Sequence, residues 1–168
     1  MALVTEDGTG QATAESYISV ADADTYHASF GRADWIGAPT IKEEALRVAT
    51  QFLDTKFIGR WRGQRLTQAQ ALAWPRSNAS DADGWYVESN VVPIAIERAT
   101  AELALYALTE DLMPPITAPV GSLKFSAIRV GPIEERNAYH SASQEKFYAL
   151  ALRLVQGLII PGGEIRRG

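Results

Sequence analysis

The stretch TIKEEALRVATQFLDTKFIG, from Thr40 to Gly59, decides the fold class of this chain. Thr40 lies three residues before Glu43, which is the spacing of a capping box at the start of a helix. Apolar side chains then recur at the intervals of one helical face; they are Ile41, Ala45, Val48, Phe52 and Leu53. The stretch therefore predicts an amphipathic helix that runs to Phe57 and ends at Gly59, and with it a mainly helical protein.

Two shorter helices are predicted on either side of this one. Ser19 precedes VADADTYHASF and caps a helix with Asp22 at the capping-box position, and Gly31 ends that helix. Its apolar face comprises Val20, Ala23 and Ala28, together with either Tyr26 or His27. The other short helix begins at Thr67 and includes residues 68–73. Pro75 ends it, because the residue before a proline is driven out of the helical region.

The second half of the chain predicts two more helices. The first has Ser89 or Asn90 as its cap and Pro93 in its first turn, and it runs to about Thr109. Its apolar face comprises Ile96, Ala99, Leu103, Tyr106 and Ala107. The last helix is capped by Ser143. It carries the apolar residues Phe147, Leu150, Ala151, Leu154 and Leu158.

Between these helices, SLKFSAIRVGPIEERNAYH alternates between apolar and polar residues and predicts a β-hairpin over about 122–140, with its turn near Gly131 and Pro132. The predicted fold class is mainly α, a small helical bundle with one β-hairpin excursion and extended N- and C-terminal arms. All 168 residues are expected to form one domain. It comprises a flexible arm over 1–14, a helical core with the hairpin over 15–158, and a C-terminal tail over 159–168.

Composition excludes several classes of protein. The chain is 46% hydrophobic and 21% charged, which is ordinary for a soluble globular protein. Its longest apolar run, ALALRLVQGLII, is shorter than the ~20 residues of a membrane span, and its start lacks the features of a signal peptide. Without cysteine there is no disulfide framework and no thiolate metal site. We therefore expect an intracellular protein with no membrane contact.

No motif predicts catalysis, a cofactor or a metal. The histidines His27 and His140 are far apart in sequence, and the chain has no phosphate-binding loop, dinucleotide fingerprint or serine elbow. The run DADG, which ends at Gly84, resembles a calcium loop. In that register, however, Ala79 and Asn90 occupy the first and twelfth ligand positions. The run instead predicts an ordinary turn stabilised by an aspartate, and the protein is expected not to be an enzyme.

The stretch GRWRGQRLTQAQALAWPRS, residues 59–77, contains four arginines and two tryptophans but no acidic residue, although the chain carries a net charge of −4. Three roles compete for it: a nucleic-acid site, a packed structural corner, or a protein-docking surface. Single-strand binding would need exposed aromatic rings. The candidates for these rings are Trp61, Trp74, Trp85 and Tyr86. Overall acidity favours a protein interface, because neutralisation of phosphates dominates nucleic-acid affinity.

The candidate residues follow from these alternatives. For a subunit or partner interface they are Arg60, Trp61, Arg62, Arg65 and, in the tail PGGEIRRG, Ile165, Arg166 and Arg167. For the alternative nucleic-acid site they are Arg60, Trp61, Arg62 and Arg76. Residues 1–40 contain six acidic residues and one basic residue, Arg32. Every charged residue within 59–76 is basic. Such opposite surfaces suit contact between identical subunits as well as contact with DNA.

Five blocks of the chain carry a family resemblance: AESYISVADADTYHA, ATQFLDTKFIGRWRGQR, QALAWPRS, VPIAIERATAELALYAL and VGPIEE. Together they resemble a group of small tailed-phage virion proteins, often labelled DnaT-like single-stranded-DNA-binding proteins, over about Glu15 to Leu158. These are similar in organisation to head–tail connector adaptors. The resemblance implies a helical subunit that forms a homo-oligomeric ring of twelve copies in the virion neck, after synthesis in the host cytoplasm.

The resemblance also implies the partners of such a ring. They would be the portal protein, a tail-side neck or tail-terminator protein, and genomic DNA that passes through the lumen without specific binding. The tail containing Ile165 would dock on the portal. The alternative function is that of a single-stranded-DNA-binding protein in phage replication. It predicts DNA affinity that depends on salt and on the arginines Arg60 and Arg62.

Overall fold

The structure, a computed structural model, describes residues 2–114, 126–130, 133–137 and 148–161. Its helices are α1 (Val20–Ser29), α2 (Pro39–Lys56), α3 (Ile94–Ala107) and α4 (Ala149–Leu154), followed by a 3-10 turn (Gln156–Leu158). Its strands are β1 (Gln64–Arg65), β2 (Arg76–Ser77), β3 (Ser126–Val130) and β4 (Ile133–Asn137). The predicted fold class, mainly α with one β-hairpin, is confirmed. None of the helices in these ranges is both long and apolar enough to cross a membrane.

Helix α3 is the centre of the helical unit. Its sequence, IAIERATAELALYA, is apolar or small on most sides, and it contacts α1, α2 and α4. Ile96, Ala99 and Leu103 are buried as predicted, whereas Tyr106 is largely exposed. The buried Glu102 accepts hydrogen bonds from Tyr26 and from Arg32. A helix surrounded by three others has few positions left for water, which explains why burial extends beyond the predicted face.

The predicted helix in residues 40–59 is present, but its start and its buried face differ from the prediction. Ala38 is the N-cap and Pro39 the first helical residue, so the capping box proposed for Thr40 is wrong. Proline is well suited to that position, because it has no N–H to leave unpaired. Ile41 is exposed, whereas Ala45, Phe52 and Leu53 of the predicted face are buried, together with Leu46 and Ala49. The buried face is therefore wider than the predicted one and does not include Ile41.

The short helix predicted from Thr67 is also wrong. Gln70 takes over the backbone bonds that a helix would make: its Oε1 accepts from the N–H of Thr67 at 2.9 Å, and its Nε2 donates to the carbonyls of Leu72 and Pro75 at 2.8 and 3.1 Å. A side chain that bonds neighbouring backbone groups competes with helix formation. The result is a loop whose ends are joined by β1 and β2, which pair antiparallel.

The cap of α1 and the β-hairpin agree with the prediction, whereas the N-cap of α3 does not. Ser19 caps α1 by accepting the N–H of Asp22 at 3.1 Å, which confirms that cap, and His27 rather than Tyr26 is buried. Strands β3 and β4 pair antiparallel from Ser126–Asn137 to Val130–Ile133, which confirms the hairpin. The N-cap of α3 is Pro93, not Ser89 or Asn90. The predicted Ser143 cap and Phe147 lie outside the described residues.

The N-terminal residues, predicted as a flexible arm, have a defined loop over residues 2–14. The buried carboxylate of Glu6 accepts backbone N–H groups from Gly8, Gly10 and Gln11 at 3.0, 2.9 and 2.9 Å. Gly8 has φ +95°, and a Cβ there would lie 1.9 Å from the carbonyl oxygen of Asn90. The polar and glycine residues of this segment therefore form a loop that the Glu6 carboxylate holds, and residues 2–14 do not form a free arm.

Candidate nucleic-acid interface

The tryptophans of the arginine-rich stretch are structural. Trp61 and Trp74 are 4% and 0% exposed and pack edge to face, with ring centroids 6.0 Å apart. Phe57 packs against Trp61 in the same manner at 5.1 Å. Neither indole presents a face to a base or to a partner protein. The stretch therefore folds as a packed corner, and any surface role falls to its exposed residues.

Two of the four arginines hold that corner together. Arg76 is half-buried and donates from all three of its nitrogens to backbone carbonyls, those of Arg62, Ala73 and Gly63, at 2.8, 3.0 and 2.7 Å. Burial lowers the pKa of Arg76. Arg62 donates to the carbonyls of Ile159 and Asp81 at 3.4 and 3.0 Å. These guanidinium groups bind the chain to itself and join segments that are distant in sequence.

We expect Arg76→Ala to destabilise the protein by about 2 kcal/mol, since it leaves three half-buried carbonyls without a charged donor. Arg65→Ala, at an exposed position of the paired strand β1, is the matched control and should change stability by less than about 0.5 kcal/mol. Urea unfolding followed by circular dichroism measures both variants. Equal stabilities would show that Arg76 does not organise the corner.

Arg60 and Arg65 remain at the surface. Arg60 is exposed, and its guanidinium makes one long bond, 3.5 Å, to the carbonyl of Ile160. Its backbone carbonyl accepts the N–H of Ile160 at 2.7 Å, which pairs this segment with residues 158–160. Arg65 is exposed and donates to the carbonyl of Gln68 at 2.6 Å. Both side chains keep N–H donors directed to solvent, because a guanidinium carries five.

A buried polar cluster lies below the loop before Arg76. The hydroxyl of Tyr17 donates to Asp54 and accepts the backbone N–H groups of Ala73 and Trp74 at 3.0 and 3.3 Å. Burial raises the pKa of Tyr17 well above its usual value, and burial also raises the pKa of Asp54. The cluster joins the loop to α2, because Asp54 also accepts the N–H of Ala73 at 2.9 Å.

Two exposed aromatic residues lie next to each other on the turn that follows. Trp85 and Tyr86 are 75% and 84% exposed. Asp81 organises the turn by accepting the N–H groups of Asp83 and Trp85 at 3.0 and 2.9 Å, and Gly84 adopts φ +89°. The predicted aspartate turn is thereby confirmed. In the part of the chain that the structure describes, no group of three or more metal-ligating residues is close enough to hold an ion.

This aromatic turn, residues 79–87, adjoins the arginine corner. Arg62 donates from Nη1 to the carbonyl of Asp81 and, at 3.4 Å, to the hydroxyl of Ser80. The N–H of Val87 bonds the carbonyl of Ala79, so the turn closes on itself as well. Ile58 and Ile160 are also exposed, and Ile160 pairs its backbone with Arg60. Arg62 thus joins the turn that bears the exposed aromatic pair to the corner that bears Arg60 and Ile160.

Local sequence around each tryptophan only weakly distinguishes the exposed Trp85 from the buried Trp61 and Trp74. Trp85 follows an Asp- and Gly-rich run, and Tyr86 comes directly after it, which is the composition of a surface turn. Trp61 lies two residues after a glycine and gives no comparable indication. The predicted tail residues Ile165, Arg166 and Arg167 lie outside the described residues, and their role stays a prediction.

Comparison with known proteins gives one match. A family model with the description "Putative DnaT-like ssDNA binding protein" matches residues 1–167. No curated protein and no solved structure matches the chain. The family is not a class of enzymes.

The match corrects the interpretation of the chain as a head–tail connector adaptor. Its description concerns single-stranded DNA and gives no support to a ring, a portal partner or a tail-side partner. The expectation that DNA passes without specific binding is corrected with it. The adaptor interpretation depended on a resemblance in organisation to connector proteins, which the family description does not mention. The net charge of −4 does not exclude DNA binding, because the charge around a given site is local.

Proposed function

Because the chain belongs to the DnaT-like ssDNA-binding family, we propose that it binds single-stranded DNA at the corner formed by the aromatic turn and Arg60. The observation that carries the proposal is the exposed pair Trp85 and Tyr86, on a turn that Arg62 joins to the corner bearing the exposed Arg60. Proteins that bind single strands combine aromatic rings, on which bases stack, with cationic groups along the backbone. This corner offers both.

The aromatic pair suits stacking because large rings lie in water on a turn that is already ordered. Asp81 holds the turn with two backbone hydrogen bonds, and Arg62 holds the turn against the corner. A site that is ordered before binding loses less conformational entropy when the ligand arrives. Each base stacked on an aromatic side chain contributes about 1–3 kcal/mol. Two such rings are therefore enough for measurable affinity.

The net charge of −4 does not oppose this proposal. Six acidic residues lie within residues 1–40, whereas residues 59–76 contain no acid. At physiological ionic strength, exposed charges more than about 8 Å apart are largely screened. The charges near the corner therefore matter more to a bound strand than the net charge of the chain, and Arg60 and Arg65 are exposed there.

The test is the double variant Trp85→Ala with Tyr86→Ala. Loss of two stacking platforms should weaken binding of a fluorescein-labelled oligothymidine by about 30-fold or more, measured by fluorescence anisotropy. Both side chains are mostly solvent-exposed, so the variant should keep its thermal stability.

The matched control is Phe30→Ala, which removes another exposed aromatic ring at the end of α1. It should bind as the unmodified protein does. Unchanged affinity in the Trp85 and Tyr86 double variant, or an equal loss in Phe30→Ala, would contradict the proposed site. Absence of any binding by the unmodified protein would contradict the proposed function.

A further inference from the structure

We infer that this corner holds a strand chiefly by its bases and only weakly by its phosphates, an inference that rests on the proposed function. The ligand class that fits is a single strand with unstacked bases. A duplex does not fit, because its bases are stacked inside it. The contacts of the four arginines and the charges of the aromatic turn carry the inference.

Two of the four arginines of the corner are already engaged by the protein. Every nitrogen of Arg76 donates to a backbone carbonyl, and Nε and Nη1 of Arg62 do the same. Releasing them to phosphates would open the packed corner around Trp61 and Trp74. Arg60 and Arg65 are exposed and can reach phosphates without such a change, whereas Arg62 and Arg76 are half-buried.

The aromatic turn itself repels phosphates. Residues 79–89, ASDADGWYVES, contain three acids, Asp81, Asp83 and Glu88, and no lysine or arginine. Asp83 and Glu88 are exposed. Like charges next to each other oppose association, so a strand lies on this turn with its bases towards the rings and its phosphates away from the carboxylates. The rings of this turn favour stacking with bases, and its carboxylates limit the number of phosphate contacts.

These contacts predict how steeply the affinity for a single strand falls with salt concentration. For a single strand, log K falls with log salt with a slope of about −0.7 for each phosphate neutralised. Two arginines, Arg60 and Arg65, give a slope of about −1.4 by the same relation. A surface that used all four arginines would give about −2.8, twice as steep. The salt dependence therefore counts the arginines that reach phosphates.

The experiment uses the full chain and two labelled strands of about twelve nucleotides, a length within the range of such sites. One is oligothymidine, and the other has the same phosphates but abasic sugars. Anisotropy titrations from low to physiological salt give affinity and slope. We expect a slope near −1.4 for oligothymidine and at least tenfold weaker binding of the abasic strand.

Variants separate the two contributions. Arg60→Ala with Arg65→Ala should flatten the slope towards zero, whereas Arg98→Ala, an exposed arginine of α3, should leave the slope unchanged. A slope of about −2.8 or steeper, or equal affinity for the abasic strand, would overturn the inference and leave DNA binding intact. Absence of binding to both strands would overturn the inference together with the proposed function.

Discussion

Leu103→Asp is expected to leave the protein unfolded at room temperature. Leu103 is 0% exposed in α3, the helix that contacts the other three. Loss of a buried leucine side chain costs about 2–5 kcal/mol through lost burial and the cavity that remains. An unpaired carboxylate in the same place adds several kcal/mol more. The sum matches the whole stability of a typical domain, about 5–15 kcal/mol.

The control for this variant is Ile94→Asp. Ile94 is the first residue of the same helix and is 59% exposed, and an acidic residue at a helix N-terminus interacts favourably with the helix dipole. Circular dichroism during heating should show a cooperative transition for Ile94→Asp and none for Leu103→Asp. A transition at the unmodified temperature in Leu103→Asp would show that α3 is not the centre of the core.

Glu6→Ala is expected to destabilise the protein by about 3 kcal/mol. The Glu6 carboxylate is buried and accepts three backbone N–H groups, which have no other acceptor in the loop once it is removed. A buried donor left unpaired costs about 1–3 kcal/mol, and water that enters the opened loop offsets part of this cost. Gly8 cannot move aside easily, because its backbone lies against the carbonyl of Asn90.

Urea unfolding measures this loss, and Asp7→Ala provides the neighbouring comparison. Asp7 is exposed and bonds only Thr9, so its removal should cost less than about 0.5 kcal/mol. Hydrogen exchange at the amides of Gly8, Gly10 and Gln11 should accelerate in Glu6→Ala alone. Unchanged exchange at these three amides would show that the carboxylate does not hold the loop.

Local sequence was sufficient to predict the elements that depend on residues a few positions apart. The helix within residues 40–59, the Ser19 cap and the pairing of β3 with β4 each depend on spacing between near neighbours, and each is present. The same spacing failed for the helix predicted from Thr67. There the side chain of Gln70 bonds the backbone, and no periodic pattern reports such a bond.

The site required more than periodicity. In the sequence, the four arginines and two tryptophans of residues 59–77 form one candidate site. In the structure, these residues differ in burial. Trp61 and Trp74 lie in the core, and Arg62 and Arg76 donate to backbone carbonyls. Of the four aromatic residues proposed as stacking rings, Trp85 and Tyr86 on the aspartate turn are the exposed ones.

The sequence by itself determined that this protein is mainly helical, where most helices and the hairpin lie, and that Asp81 begins a turn. These properties depend on interactions between residues a few positions apart, which the order of residues fixes. Only the tertiary structure decided that Glu6 organises the N-terminal loop and that Trp85, rather than Trp61, faces water. It also decided that the bonds of Arg62 bring residues 80, 81 and 159 to one corner. Those outcomes depend on burial and on contacts between distant segments, which exist only after the chain has packed.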